Sequence, residues 1–428
     1  MITDYDILQL LKIDSTLTYE EAQEKIYMNK REEALKIHLE SCDYAITSPK
    51  KEGARWQTYV KDETKSGGRR KIVKPTKNDL LDELILIYLQ KQRVETITLA
   101  DFYVEWYEYK KSQTASTRTL RRHDQHWQKY FKDTDISKMK LIDINCLSLT
   151  KWANHLIRER ELTAKEFGNI KTIIIGCLKL AKRMNLIAIN PWLEVEVNPR
   201  LFRVVHKKPS ETQVYLNDEL PKLYEIAKKE LEESPERTNA IAVLLNLCLG
   251  LRISELVALK EIDIEENYLH IVRMETKEEV QNPDGTWGKT TYKVVEHTKT
   301  REKGDRLLYL TPEARELIRL AIESKKRYRY LSEYLFCNEK GRTTSRSIAN
   351  TIEKYCRHMG IPTKSSHKIR KTVASRLNAT GVPLDEIRKI LGHSQTATTL
   401  GYIFNPFNTQ ETEKRIENAL SIGLTLNL

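Results

Sequence analysis

Six side chains in the second half of the chain have the types needed for chemistry on an anion: Arg252, Lys299, His367, Arg370, His393 and Tyr402. Guanidiniums hold oxyanions through directed, charge-assisted hydrogen bonds, imidazoles move protons, and a phenol becomes a nucleophile once its proton is taken. Arg252 stands in Gly250-Leu251-Arg252-Ile253-Ser254-Glu255-Leu256, where Leu256 and Leu259 mark the apolar side of a predicted helix and Arg252 shares a face with Glu255. His367 and Arg370 have the same spacing and project from one helical turn. Leu391-Gly392-His393 closes a predicted helix that follows Gly381, and a second short helix carries Tyr402. Lys299 falls in a strand-to-strand turn, Thr298-Lys299-Thr300. Singly, each piece has a plainer explanation: a local ion pair, a chance HxxR, a solvated turn lysine, and a tyrosine that is buried or belongs to a helix-turn-helix.

Taken in order, the pieces form a pattern. An arginine in G-L-R-x-x-E-L, a lysine in a hairpin, HxxR, L-G-H and a tyrosine nine residues later resemble the tyrosine recombinases, the family of phage-type integrases. The resemblance covers the stretch from the helix before Arg252 through Tyr402. It implies a mixed α+β catalytic domain that cuts and rejoins DNA, with Tyr402 becoming joined to a 3′ phosphate while a 5′ hydroxyl departs. The chemistry suits these residue types. Arg252 and Arg370 can clamp the non-bridging oxygens of a phosphodiester as they gain charge. A phenol of ordinary pKa about 10 needs a base, for which His367 is the candidate. A phosphotyrosine keeps the energy of the broken bond, so resealing needs no ATP. By resemblance Lys299 protonates the departing oxygen, His393 hydrogen-bonds the phosphate, and Glu255 supports the site. Lys303 is a rival for the acid, and T-K-T phrasing favours Lys299. No metal or other cofactor is implied.

The elements that must position these groups occupy the whole chain of 428 residues, long enough for two to four domains. Net charge is +12, which favours a polyanionic partner, and the expected fold is mainly α with small β-sheets. Residues 1–47 read as a helical extension. Residues 48–92 are crowded with Lys and Arg, including Lys50 and Lys51. Here Trp56 to Val60, the Ser66-Gly67-Gly68 turn and Arg69 to Val73 predict a hairpin, and Thr76 to Asp79 a capping box opening a helix. This segment resembles the arm-DNA-binding domain of integrases, with Trp56, Tyr59, Arg69, Arg70 and Lys71 as candidate contacts. Residues 93–195 read as all helix and resemble the core-DNA-binding domain, with Arg118 and Arg121 as candidate phosphate contacts. A linker at 196–210 leads into the catalytic domain at 211–428.

Within 211–428, strands are expected at Tyr268 to Met274, Tyr292 to His297 and Arg306 to Leu310. A hairpin extension lies between the first two, and a short helix from Thr409 to Leu420 precedes an apolar tail, Leu424 to Leu428. By resemblance that tail docks on a neighbouring protomer. The partners implied are double-stranded DNA with core and arm-type sites, three further copies in a tetramer on DNA (a monomer when free), and a host DNA-bending or excision factor. The acidic start of the chain is unlike a signal peptide, and the apolar run Ile241 to Leu251 is too short to span a bilayer. A cytoplasmic, nucleoid-associated protein is expected, with no membrane partner. The six cysteines form no CxxC pair, as suits reduced thiols rather than a metal site or disulfide frame. A Xer-type resolvase, a type IB topoisomerase and a non-catalytic DNA-binding regulator are the alternatives. The arm-like segment weighs against the first, the phrasing around His393 against the second, and the complete residue set against the third.

Overall fold

The computed structural model describes residues 7, 10, 11, 13–41, 44–49, 54–62, 65, 67–114, 116–282, 285–299 and 304–421. Lys50, Lys51, Ser66, Arg301, Lys303 and the tail Leu424 to Leu428 lie outside them. The chain separates into two compact units, Met1–Val205 and His206–Leu428.

In the first unit, strands Trp56–Lys61 and Arg69–Lys74 pair antiparallel, with Tyr59 opposite Lys71 and Val60 opposite Arg70. The period of two sends Thr58, Val60 and Ile72 inward, where Val60 and Ile72 meet Leu80, Leu81 and Leu84 of helix Lys77–Leu84. Thr76 and Asp79 form the expected reciprocal capping box. Helix Tyr19–Ser41 packs on the same core: Ala34 is buried in it, Arg31 pairs bidentately with Asp82, and buried His38 bonds Thr58 and Tyr88 at 2.9 Å each. This helix and the hairpin therefore share one body, although the sequence reads as an extension followed by a separate domain.

Helices Leu99–Gln113, Thr117–Tyr130, Cys146–Glu159 and Ala164–Arg183 follow. Thr98, Ser116, Asn145 and Thr163 cap them, each accepting from the backbone N–H three residues on. Their core is aromatic at one end, where Tyr103 stacks on Trp127 with ring centroids 3.8 Å apart.

The second unit is built on the apolar helix Asn239–Leu249, buried along most of its length. Around it pack Glu219–Glu233, Pro312–Arg327, Ser345–His358 and Ser366–Ala379. The expected strand Tyr268 to Met274 is broken. Tyr268–Ile271 lies between Ile264–Glu265 and Arg306–Tyr309, whereas Met274–Glu278 pairs with Thr291–Val295 in a separate hairpin. The break falls at Val272 and Arg273. Arg273, buried at this break, bonds Asp263 at 2.6 Å and Glu296 at 2.9 Å. Leu384–Leu391, Thr396–Leu400 and Thr409–Leu420 complete the unit.

Candidate active site

The geometry of the site starts at a helix end. Helix Leu384–Leu391 closes on Gly392 in the left-handed conformation (φ 60°), and its last carbonyls have no partner inside the helix. Three arginines from three elements take them in succession. Arg306 Nε donates to Ile390 O at 2.8 Å, an Arg370 Nη donates to Leu391 O, and Arg252 Nη2 donates to Gly392 O at 3.0 Å. The negative end of the helix suits three cations. A side chain at 392 would be strained by its φ, and its Cβ would stand 3.0 Å from Arg306 Nη1.

Glu255 ties two of the same arginines from the other side. Fully buried, it accepts from Arg252 Nη1 at 2.7 Å and from Arg306 Nη2 at 2.8 Å. Burial pushes its carboxyl up, but Arg306, Arg252 and Arg370 outweigh that and hold it at about 2. The expected helix around Arg252 is corrected here. Gly250 ends helix Asn239–Leu249, Arg252 is extended (φ −65°, ψ 138°), and one turn, Ile253–Leu256, begins after it. Arg252 and Glu255 therefore meet as cap and third residue, and Glu255 also accepts from the Arg252 backbone N–H at 3.1 Å. Arg370 is 1% exposed and donates to Gly250 O at 2.8 Å. Burial, with Arg252 beside it, lowers its pKa to about 9, so it stays charged at neutral pH.

Tyr402 follows helix Thr396–Leu400 and is half-buried between two imidazoles, with the rings of His393 and His367 edge-on at 4.6 and 4.8 Å. Its hydroxyl lies 3.5 Å from His367 Nδ1. That is the loose end of hydrogen bonding, as is common before a substrate draws such groups together. His367, in the first turn of Ser366–Ala379, keeps an exposed edge. Protein packed around its ring, then Lys371, Arg370, Arg252 and Lys299, pull its pKa to about 4, so it is unprotonated at neutral pH and able to accept a proton. His393 is buried, and burial followed by Arg370 and Arg252 takes it to about 3. Arg370 Nε and His393 Nε2 are buried with no hydrogen-bond partner among the described residues. Buried polar atoms without partners are costly, and both belong to groups suited to an incoming anion. After Tyr402 the chain is held on the same unit, because Ser375 Oγ donates to Tyr402 O at 3.3 Å and accepts from Phe404 N at 2.9 Å.

Lys299 is exposed, at the edge of this cluster, just before the undescribed residues 300–303. The far end of that loop is fixed, since Arg306 Nη1 donates to Gly304 O at 3.1 Å. Sequence reasoning passed over Arg306, which reads as one more cation in a basic strand. Here it joins Glu255, the L-G-H turn and the base of the lysine loop. Thr399 was also passed over. It is fully buried and lies 3.0 Å from His393 Nδ1.

The candidate DNA contacts of the first unit divide by strand parity. Arg69 and Lys71 are exposed on the outer face with Tyr59, and Arg69 lies over the rings of Tyr59 (4.6 Å) and Tyr44 (5.6 Å). Trp56 is on the opposite, core-facing side, half-buried and packed against the cluster that holds Val60 and Ile72. Arg70 shares that side but is exposed at the hairpin end. Arg118 is exposed on helix Thr117–Tyr130, and Arg121 is half-buried there.

Among known proteins, residues 213–408 match the phage integrase family. A "Tyrosine recombinase XerC-like" protein of Caldanaerobacter subterraneus subsp. tengcongensis is 24% identical over 338 residues, 74% of this chain and 82% of the relative. "Tyrosine recombinase XerC" of Thermodesulfovibrio yellowstonii is 30% identical over 213 residues, 49% of this chain and 63% of the relative. Two solved structures share the fold. The Tn1549 transposon integrase in complex with a circular intermediate DNA has a TM-score of 0.55 at 16% identity, covering 75% of this chain and 99% of that one. A lambda integrase tetramer bound to a Holliday junction has a TM-score of 0.51 at 14% identity, covering 84% and 95%. No helix among the described residues is long and apolar enough to cross a membrane.

Proposed function

We propose that this chain, a tyrosine-type site-specific recombinase whose residues 213–408 form a phage integrase family domain, integrates and excises a mobile genetic element through a phosphotyrosine at Tyr402. The observation that carries the reading is the gathering, within one unit, of Arg252 and Arg370 at the Leu391–Gly392 helix end and of His367 and His393 around the half-buried Tyr402.

In the proposed reaction the scissile phosphate occupies the space before the two guanidiniums. Its charge offsets the surrounding cations and raises the pKa of His367. The Tyr402 oxygen attacks phosphorus as its proton passes to His367. The new O–P bond forms as the bond to the 5′ oxygen breaks, and Lys299 gives that oxygen a proton. Arg252, Arg370 and His393 stabilise the charge on the non-bridging oxygens. In the return step a 5′ hydroxyl from the partner strand attacks the phosphotyrosine, its proton goes back to Lys299, and His367 reprotonates Tyr402. One phosphodiester replaces another, so no energy source is consumed. Complete exchange requires two such rounds and four protomers on two DNA sites.

The outer face of the hairpin, with Tyr59, Arg69 and Lys71, is the proposed reader of arm-type DNA sites, and the helices at 93–195 the reader of the core site. This second basic body favours a mobile-element integrase over a resolvase that acts on one core site alone. The test is recombination between two plasmids carrying the joined ends of the element and its target, without ATP. Recombinant junctions with wild type and none with Tyr402→Phe are expected. Junctions formed equally by both proteins would refute the reading.

A further inference from the structure

A histidine can donate to the scissile phosphate through Nε2 only if its proton resides there, and something must keep it from Nδ1. Nε2 of His393 is buried without a hydrogen-bond partner among the described residues, and Nδ1 lies 3.0 Å from Thr399 Oγ1. Both residues are out of water, with His393 6% and Thr399 0% exposed, so solvent does not choose the tautomer. We infer that Thr399 is a positioning residue for the reaction: its hydroxyl donates to Nδ1 of His393 and so fixes the proton on Nε2, aimed at the phosphate.

The same residue is tied to the nucleophile. Thr399 lies on helix Thr396–Leu400, and its carbonyl accepts the backbone N–H of Tyr402 at 2.9 Å. One turn of chain therefore places the attacking phenol and sets the donor that stabilises the charge it creates. If this helix shifts, Tyr402 moves away and His393 loses its fixed proton together. Strand cleavage is then confined to the arrangement in which both are ready.

The inference rests on His393 acting as a phosphate donor, and the experiment separates the two. Thr399→Val keeps the shape and removes the hydroxyl, whereas Thr399→Ser keeps a donor. Both variants of the full chain, with His393→Ala and the double variant His393→Ala/Thr399→Val, are assayed for single-turnover cleavage of a nicked substrate and for DNA affinity. Thr399→Val should slow cleavage about 10- to 100-fold, in the range of losing an oxyanion donor, with affinity within about threefold of wild type. Thr399→Ser should recover most of that rate, and Thr399→Val should add nothing once His393 is alanine. In full-length protein carrying ¹⁵N-histidine, His393 should show the Nε2–H tautomer in wild type and in Thr399→Ser, and lose it in Thr399→Val.

Wild-type cleavage by Thr399→Val, or an Nδ1–H tautomer in wild type, would overturn the inference. An unfolded Thr399→Val leaves the wild-type tautomer and the Thr399→Ser rate as the deciding readouts. If His393→Ala itself cleaves normally, the failure lies with the role given to His393.

Discussion

Positive charge is gathered in two places in this molecule, and it is held in opposite ways. In the catalytic unit Arg370 is 1% exposed, and Arg252, Arg306 and Arg370 are each fixed to a main-chain carbonyl at the end of one helix, with Glu255 fully buried between two of them. On the hairpin of the first unit Arg69, Arg70 and Lys71 are exposed, and Arg69 lies over Tyr59 and Tyr44. Burying a cation is costly unless it is paired and hydrogen-bonded, and what the cost secures is position. Exposed cations are screened and individually replaceable, and they contribute affinity by displacing counterions from a phosphate backbone. One cluster is fixed in position, whereas the other would act, in the proposed arm-site contact, by attraction.

The comparison fails if the two clusters respond alike to mutation. The largest effect is expected at Glu255. Glu255→Ala leaves Arg252 and Arg306 without their shared carboxylate and Arg370 without the nearby negative charge, and should destabilise the protein by about 3 kcal/mol, with loss of cleavage even well below the melting temperature. Thermal melts and single-turnover cleavage check this; a variant that melts and cleaves as wild type would show that the arginines hold themselves in place. A smaller effect is expected from Arg69→Ala/Lys71→Ala. Cleavage of a core-site substrate should be unchanged, while the dependence of arm-site affinity on log salt should flatten by about 2, one for each phosphate no longer neutralised. An unchanged slope would remove the hairpin face from the DNA interface.

The smallest effect is one of pH. His367 and His393 titrate near 4 and 3 in the folded chain and near 6.5 when unfolded. Because their folded values are depressed, the unfolded chain takes up protons first, and stability present above 6.5 is lost as pH falls from 6.5 towards 3. The double variant His367→Gln/His393→Gln should therefore lose less melting temperature between pH 7 and pH 4.5 than wild type does. An equal loss would place the acid sensitivity elsewhere.

The two clusters also differed in how well the sequence revealed them. Arg252, His367, Arg370, His393 and Tyr402 could be picked out because their chemistry fixes residue type and order, and the structure brings all five together. Arg306 and Thr399 could not, since an arginine in a basic strand and a threonine in a helix are ordinary, and only their three-dimensional partners set them apart. The break at Arg273 was hidden because Tyr268 to Met274 has the composition of one strand, and the partners that Arg273 takes, Glu296 and Asp263, lie 23 and 10 residues away. Helix Tyr19–Ser41 joins the hairpin's core through buried Ala34, bonds Asp82 of helix Lys77–Leu84 through Arg31 and Thr58 of the hairpin through His38, a small apolar side chain and two polar ones, so no hydrophobic stripe announced the contact. Trp56 stands among the candidate contacts by its resemblance to an arm segment, whereas the strand's period of two puts it on the inner face with Thr58 and Val60.

The central claim is that Tyr402 is the nucleophile of an active site assembled within one chain. A suicide substrate made from the element's end, nicked so that the 5′-hydroxyl fragment is lost after cleavage, would be mixed with wild type and with Tyr402→Phe. An SDS-resistant protein–DNA complex is expected with wild type alone, with the linkage mapping to Tyr402 by mass spectrometry and equal binding of both proteins in a gel shift. A covalent complex formed by Tyr402→Phe, or one mapped to any other residue, would contradict that claim.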